Sequence, residues 1–238
     1  MPDLNLPTTD RTHDKFDRLI ARAQREAPAV TAIAHPCDQA ALESAVEASR
    51  LKLIEPILVG PREKVEAAAK ENGFDISAFE IVDAEHSHDS ARKAVELVRC
   101  ARAEILMKGS LHTDELMAAV VARDTGLRTV RRISHCFIMD VPEHDDALII
   151  TDAAVNIVPT LEDKVHIVQN AIDLARSLGV AEVRVAILSA METVNPKVLS
   201  TLEAAALCKM ADRGQITGGL LDGPLALDNA ISLSAAQI

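Results

Sequence analysis

Short apolar runs alternate with segments of helical period along most of the chain, and that alternation constrains the fold more than any other feature. The runs AVTAIA (29–34), PILV (56–59), EIVD (80–83) and ILM (105–107) are too short for buried helices. Stretches of about ten to fifteen residues with apolar positions three and four apart separate them. Strands joined through helices run parallel, so the pattern predicts an α/β fold with mainly parallel sheets covered on both faces. Ligands of such sheets collect beyond the carboxyl ends of the strands. The turns His35-Pro36, Gly60-Pro61 and Lys108-Gly109-Ser110 are therefore expected along one rim.

A helical pattern over 11–26, with Phe16, Leu19, Ile20 and Ala23 on one face, precedes the first strand, and the first ten residues are expected to be disordered. Asp38 is placed to cap the helix that runs to about Leu51. A polar break, Pro142-Glu143-His144-Asp145-Asp146, interrupts the alternation, which then resumes. Two α/β domains are expected, 1–145 and 146–238. In the second, strands are predicted over 147–152, 182–188 and 216–220. Thr160 and Asp163 form a capping pattern for a helix ended by Gly179, and Pro196 starts another that reaches Asp212.

The stretch AEILMKGSLHTDELMAAVVARD (103–124) reads as strand, polar turn and helix. Such a turn offers an anion a backbone that Gly109 lets approach, N–H groups at a helix start and the Lys108 cation. Thr113 is the expected N-cap, with Asp114 and Glu115 suited to the positive end of the helix dipole. Phosphate is the natural guest, although the turn lacks the upstream glycine of a full phosphate loop, and similar turns that bind nothing are common in α/β proteins. Three arginines follow, Arg128, Arg131 and Arg132. They either clamp phosphate, with Arg128 and Arg132 favoured, or form a solvated basic turn. In the second half, polar residues gather at three strand ends: Asp152 with Asn156, Ser189 with Glu192, and Asp222 with Asn229. Two sets of strand-end loops facing each other across a boundary near residue 145 would make a cleft.

Several functions are excluded or weakened. A net charge of −11 and the absence of Trp and Tyr argue against nucleic acid. No apolar run reaches ~18 residues and no basic-then-apolar leader precedes the first helix, so a cytoplasmic protein without membrane contact is expected. Cys37, Cys100, Cys136 and Cys208 stand far apart, as buried thiols of a reducing compartment do. His135 and Cys136 are adjacent in a strand and point to opposite faces, which argues against a catalytic dyad. His86 and His88 lack a third ligand, so no metal is expected. Neither a Gly-x-Ser-x-Gly elbow nor a dinucleotide fingerprint is present.

The strings LMKGSLHTDELM, ITDAAVNIVPTLEDKVHIVQNAIDLARSLG and SAMETVNPKVLSTLEAAALCKMADRGQITGGLLDGPLALDNAIS resemble the phosphate acetyl/butyryltransferase family, over a span from about residue 29 to the last. The resemblance implies reversible exchange of the CoA of a short-chain acyl-CoA, acetyl or butyryl, for inorganic phosphate. It implies CoA as a substrate rather than a bound cofactor, a homodimer, and two α/β domains like those of isocitrate and isopropylmalate dehydrogenases. Carried over to this sequence, Lys108, Gly109, Ser110 and Thr113 match the phosphate-side turn, Ser134 and His135 the following strand start, and Asp152 and Asn156 the second-domain turn. Ser189, Glu192, Asp222 and Pro224 match other cleft-facing loops. Asp152 or Asp222 is then a candidate base, or else orients the main chain, and Ser189 joins them as a catalytic candidate. Members of the family continue past the position of Ile238, so the second domain is expected to be incomplete. The alternative reading is a truncated chain that binds CoA or phosphate without turnover.

Overall fold

The structure, a computed structural model, describes residues 14–141, 147–232 and 235–237. The first ten residues and the polar break at 142–146 lie outside the described residues. The chain divides into two compact units: an N-terminal unit, Phe16–Val130, and a C-terminal unit, Arg131–Ile238, to which Lys15 belongs.

After helix α1 (Asp14–Ala23), the N-terminal unit alternates β1 (Ala29–Ala34), α2 (Gln39–Arg50), β2 (Ile54–Gly60), α3 (Arg62–Asn72), β3 (Glu80–Asp83), α4 (Ser87–Arg99), β4 (Ile105–Lys108) and α5 (Thr113–Val120). Its four strands form one parallel sheet in the order β3-β2-β1-β4. The two central strands are apolar on both faces because helices cover both. Ala32, Ala34, Ile57 and Val59 pack with Ala91, Ala94 and Leu97 of α4, whereas Ile33 and Leu58 pack with Leu42 and Ala45 of α2 and Val65 and Ala69 of α3. Asp38 caps α2 as expected, accepting from the Ala41 N–H at 2.9 Å. Parallel register sets Ala34 beside both Val59 and Lys108, so the three turns share one rim.

The C-terminal unit is built differently. It holds β5 (Cys136–Met139), β6 (Leu148–Thr151), α6 (Leu161–Ser177), β7 (Arg184–Leu188), α7 (Leu199–Asp212), β8 (Leu220–Leu225) and α8 (Leu227–Ile231). Strands β7 and β8 are parallel, but β5 and β6 pair antiparallel, against the expectation of parallel pairing. Their connection is too short for a helical crossover. The Thr160–Asp163 capping box forms as read from the sequence. The last strand runs over Leu220–Leu225 rather than 216–220. Ile216 is instead buried against Ile172 and Leu207, and Gly218, at φ 88°, turns the chain before the strand begins. Helix α7 starts at Leu199 rather than at Pro196.

Candidate functional site

On the N-terminal rim, β4 is drawn tightly onto β1. The Gly109 N–H donates to the Ala34 carbonyl and the Ser110 N–H to that of His35, both at 2.9 Å. A Cβ on residue 109 would come within 2.5 Å of the Ala34 oxygen and 2.7 Å of the His35 oxygen. The glycine therefore serves the approach of two strand ends, and these two N–H groups point into β1 rather than toward a ligand. Ser110 completes the tie: its hydroxyl donates to the His35 carbonyl at 2.7 Å and accepts from the Cys37 N–H at 3.2 Å.

What this turn offers outward is the Lys108 ammonium and the start of α5. Lys108 donates to the Gly109 carbonyl at 3.2 Å and has no carboxylate partner among the described residues. The N-cap of α5 is His112 rather than Thr113, and no side chain caps the helix, so its first N–H groups stay open to an anion. Thr113 is the first helical residue, because the extended φ and ψ that mark an N-cap occur at His112. Arg128 is exposed in the same unit.

His35, expected on this rim as a strand-ending turn but not as a site residue, does lie there. It takes a left-handed φ of 57°, its N–H donates to the Val59 carbonyl at 2.7 Å, and its Nδ1 lies 3.0 Å from the hydroxyl of fully buried Ser90. Burial, with help from Lys64 and His86 and against the pull of Glu115, lowers the His35 pKa below the usual 6.5. The signal in the sequence was a serine at position 90, among the small and apolar residues that form the inward face of α4.

In the C-terminal unit, Asp152 organises a loop. Its Oδ1 accepts from the N–H groups of His135, Ala154 and Val155, and its Oδ2 from the N–H and side-chain amide of Asn156. Partial burial alone would raise this carboxyl, but the bonds from Asn156, His135 and Val155 outweigh it and hold the pKa below 3.8. A carboxylate so fully engaged fixes main chain. Asn156 also donates to the Ile133 carbonyl and accepts from Arg132, whose guanidinium reaches Asp163 at 3.2 Å. Arg131 pairs with Asp173. Both arginines are thereby turned onto α6. Ser134 accepts from the Asn170 amide, and the His135 ring meets Phe137 edge-on at 4.5 Å.

The remaining candidates lie around β7 and β8. Ser189 and Ser200 share a 2.8 Å hydrogen bond, and the Asn229 amide donates to Glu192. Asp222 accepts from the Gly223 N–H at 2.8 Å, and Pro224 is buried in β8. Asp152 and Asn156 line an apolar cavity of about 780 Å³ that also reaches Lys164, Glu203 and Asp222, all within this unit.

Residues 84–238 match the family described as "Phosphate acetyl/butaryl transferase". This chain belongs to that family. A phosphate acetyltransferase of Rhizobium meliloti is 63% identical over 224 residues, which cover 94% of this chain and 71% of that protein. A phosphate butyryltransferase of Clostridium acetobutylicum is 38% identical over 93% of this chain and 74% of its own length. Among solved structures, a branched-chain phosphotransacylase from Enterococcus faecalis superposes with a TM-score of 0.73 at 27% identity, covering 88% of this chain and 72% of that one. The span matched to the family includes the Lys108 turn and every polar strand end of the C-terminal unit, and it begins after His35.

Proposed function

We propose that this chain catalyses the reversible transfer of a short acyl group from coenzyme A to inorganic phosphate. The observation that carries the reading is the 63% identity to a phosphate acetyltransferase over 94% of the chain, which favours acetyl-CoA as the donor. In the forward direction a phosphate oxygen attacks the thioester carbonyl, the C–O bond forms and the C–S bond breaks. The electron pair leaves with sulfur, and the proton of hydrogen phosphate ends on the departing thiol. Such a step needs the dianion held in line and developing charge met by fixed donors.

The Lys108 ammonium and the open first turn of α5 are the groups we assign to holding phosphate, with Arg128 as a further cation of the same unit. Asp152 is assigned to shaping the loop that carries Asn156, as its saturated oxygens favour. Among the described residues no helix is long and apolar enough to cross a membrane, and the family resemblance is the ground on which we assign a cytoplasmic homodimer.

The test is phosphate-dependent thiol release from acetyl-CoA and butyryl-CoA. Lys108→Ala is expected to raise the KM for phosphate by about tenfold, the value of one charge-assisted hydrogen bond, while the KM for acyl-CoA changes less than about twofold. Equal effects on both substrates would make the turn a scaffold, and no release from either thioester would remove the activity.

A further inference from the structure

The turn at Lys108 is rich in donors, yet the ligand assigned to it carries a donor of its own. Near neutral pH much of inorganic phosphate exists as the dianion with one P–OH group. Ammonium and amide groups only donate, so that hydroxyl needs an acceptor. Sulfate has the same shape and charge and no proton. A site with a fixed acceptor beside its cation therefore separates the two anions, because sulfate would leave the acceptor facing an oxyanion.

Two acceptors stand at this rim. The first is the imidazole of His35. Ser90 has one hydroxyl proton, and it goes to the His86 carbonyl at 2.9 Å, since a carbonyl can only accept. The Ser90 oxygen 3.0 Å from His35 Nδ1 is consequently an acceptor, and Nδ1 carries the proton. In the neutral ring this leaves Nε2 with a lone pair. The backbone of the same residue is bonded to Ser110, so the ring is anchored to the turn itself. The second is Glu115, in the first turn of α5, whose Oε2 is shut from solvent without a hydrogen-bond partner among the described residues.

We propose that His35 Nε2 accepts a hydrogen bond from the P–OH group of the bound phosphate, and that His35, oriented by Ser90, is the residue that makes this site select hydrogen phosphate over sulfate. The inference rests on the phosphate seat assigned above and adds its selectivity. The charged and titratable groups that act on the ring are Lys64 of α3, His86 before α4 and Glu115 of α5. Burial is the largest influence and favours the neutral ring.

The experiment uses the full chain with sodium phosphate and sodium sulfate as probes, by direct titration and by sulfate inhibition of thiol release. His35→Asn keeps a donor close to the place of Nδ1, tolerates the left-handed φ and removes Nε2. It is expected to weaken phosphate binding by about tenfold while sulfate binding stays within about twofold, so the preference collapses. Ser90→Ala, which frees the tautomer, is expected to lower the preference by a smaller factor. Nitrogen-detected NMR of the unmutated chain is expected to show His35 as the Nδ1–H tautomer. A His35→Asn chain that keeps its preference, or an Nε2–H tautomer in the unmutated chain, overturns the inference while Lys108→Ala still weakens phosphate. Phosphate binding indifferent to Lys108→Ala overturns the seat and this inference together.

Discussion

The two units present polar groups at strand ends by different means. In the N-terminal unit the rim is placed by main chain: four parallel strands in register, clamped on both faces by helices, set His35, Lys108 and Gly109 before any side chain is consulted. In the C-terminal unit two separate two-stranded sheets share one core cluster, with the 780 Å³ apolar cavity lined by β6, β7 and β8. Two-stranded sheets are marginal by themselves. There the polar loops are held by side chains instead: Asp152 on four N–H groups, and Arg131 and Arg132 on α6. A site built on register tolerates surface change and fails when its core fails. A site built on side-chain bonds fails one carboxylate at a time.

The largest contrast is expected from matched truncations of sheet residues. Leu58 is fully buried in β2, and Leu58→Ala should cost about 3 kcal/mol from lost burial plus the cavity left behind. Ile150 of β6 is 41% exposed, so Ile150→Ala should cost less than about 1 kcal/mol. Urea unfolding of both variants measures the difference, and equal costs would break the comparison. Gly109→Ala comes next. Its Cβ would press on two main-chain carbonyls that cannot rotate away, and separating β4 from β1 should cost about 2 kcal/mol. The rim moves with β4, so the KM for phosphate should rise in the same variant. Wild-type stability and KM would mean that the strand ends are not drawn together.

These differences also explain what could be read from the sequence. The N-terminal unit was legible nearly element by element, because helix-linked apolar runs have one economical arrangement, and its rim followed from register alone. The antiparallel β5–β6 pair was missed: CFIM and LIIT look alike whichever way they pair, and the short connection that decides was read as a boundary between domains rather than as too short for the helix of a parallel pair. Strand β8 was misplaced because Ile216 looks like the start of a strand and serves as a core plug. In the site, Lys108 and Gly109 stood out by residue type, yet the partner of Gly109 turned out to be the end of β1, where Ala34 lies 75 positions earlier in the chain, beyond any local signal. His35 was placed on the rim as a turn, but not among the site residues, since the setting of its ring depends on Ser90, which topology rather than spacing brings near.

A smaller effect should separate loop order from global stability. Asp152→Asn puts a donor where the loop needs an acceptor, so some of the N–H groups of His135, Ala154, Val155 and Asn156 lose their partner. The expected cost is about 1 to 2 kcal/mol, concentrated in the loop, with amide hydrogen exchange accelerated at 153–156 and nearly unchanged in β1 and β2. Protection lost in both units would show that the loop is not an independent device. Protection kept in the loop would show that Asp152 does not hold it.

The smallest expected effect is a pH response on the N-terminal side, and it tests whether side-chain bonds matter there at all. Burial would raise the carboxyl of Asp89, but bonds from Lys93, Arg92 and the Glu85 N–H prevail and bring its pKa from 3.8 to about 2. A carboxyl depressed in the folded state contributes stability above its unfolded pKa and loses it as pH falls through the folded one. The contribution of Asp89 should therefore be complete above pH 4 and disappear toward pH 2. Its partners are solvent-facing, with Arg92 57% exposed, so the amount should stay below about 1 kcal/mol. Urea midpoints for the unmutated chain and Asp89→Asn should differ at pH 6 and converge near pH 2. A gap that persists at pH 2 would mean that the carboxylate acts through neutral hydrogen bonds, and a gap several times larger at pH 6 would make the N-terminal unit as dependent on side-chain charge as its neighbour.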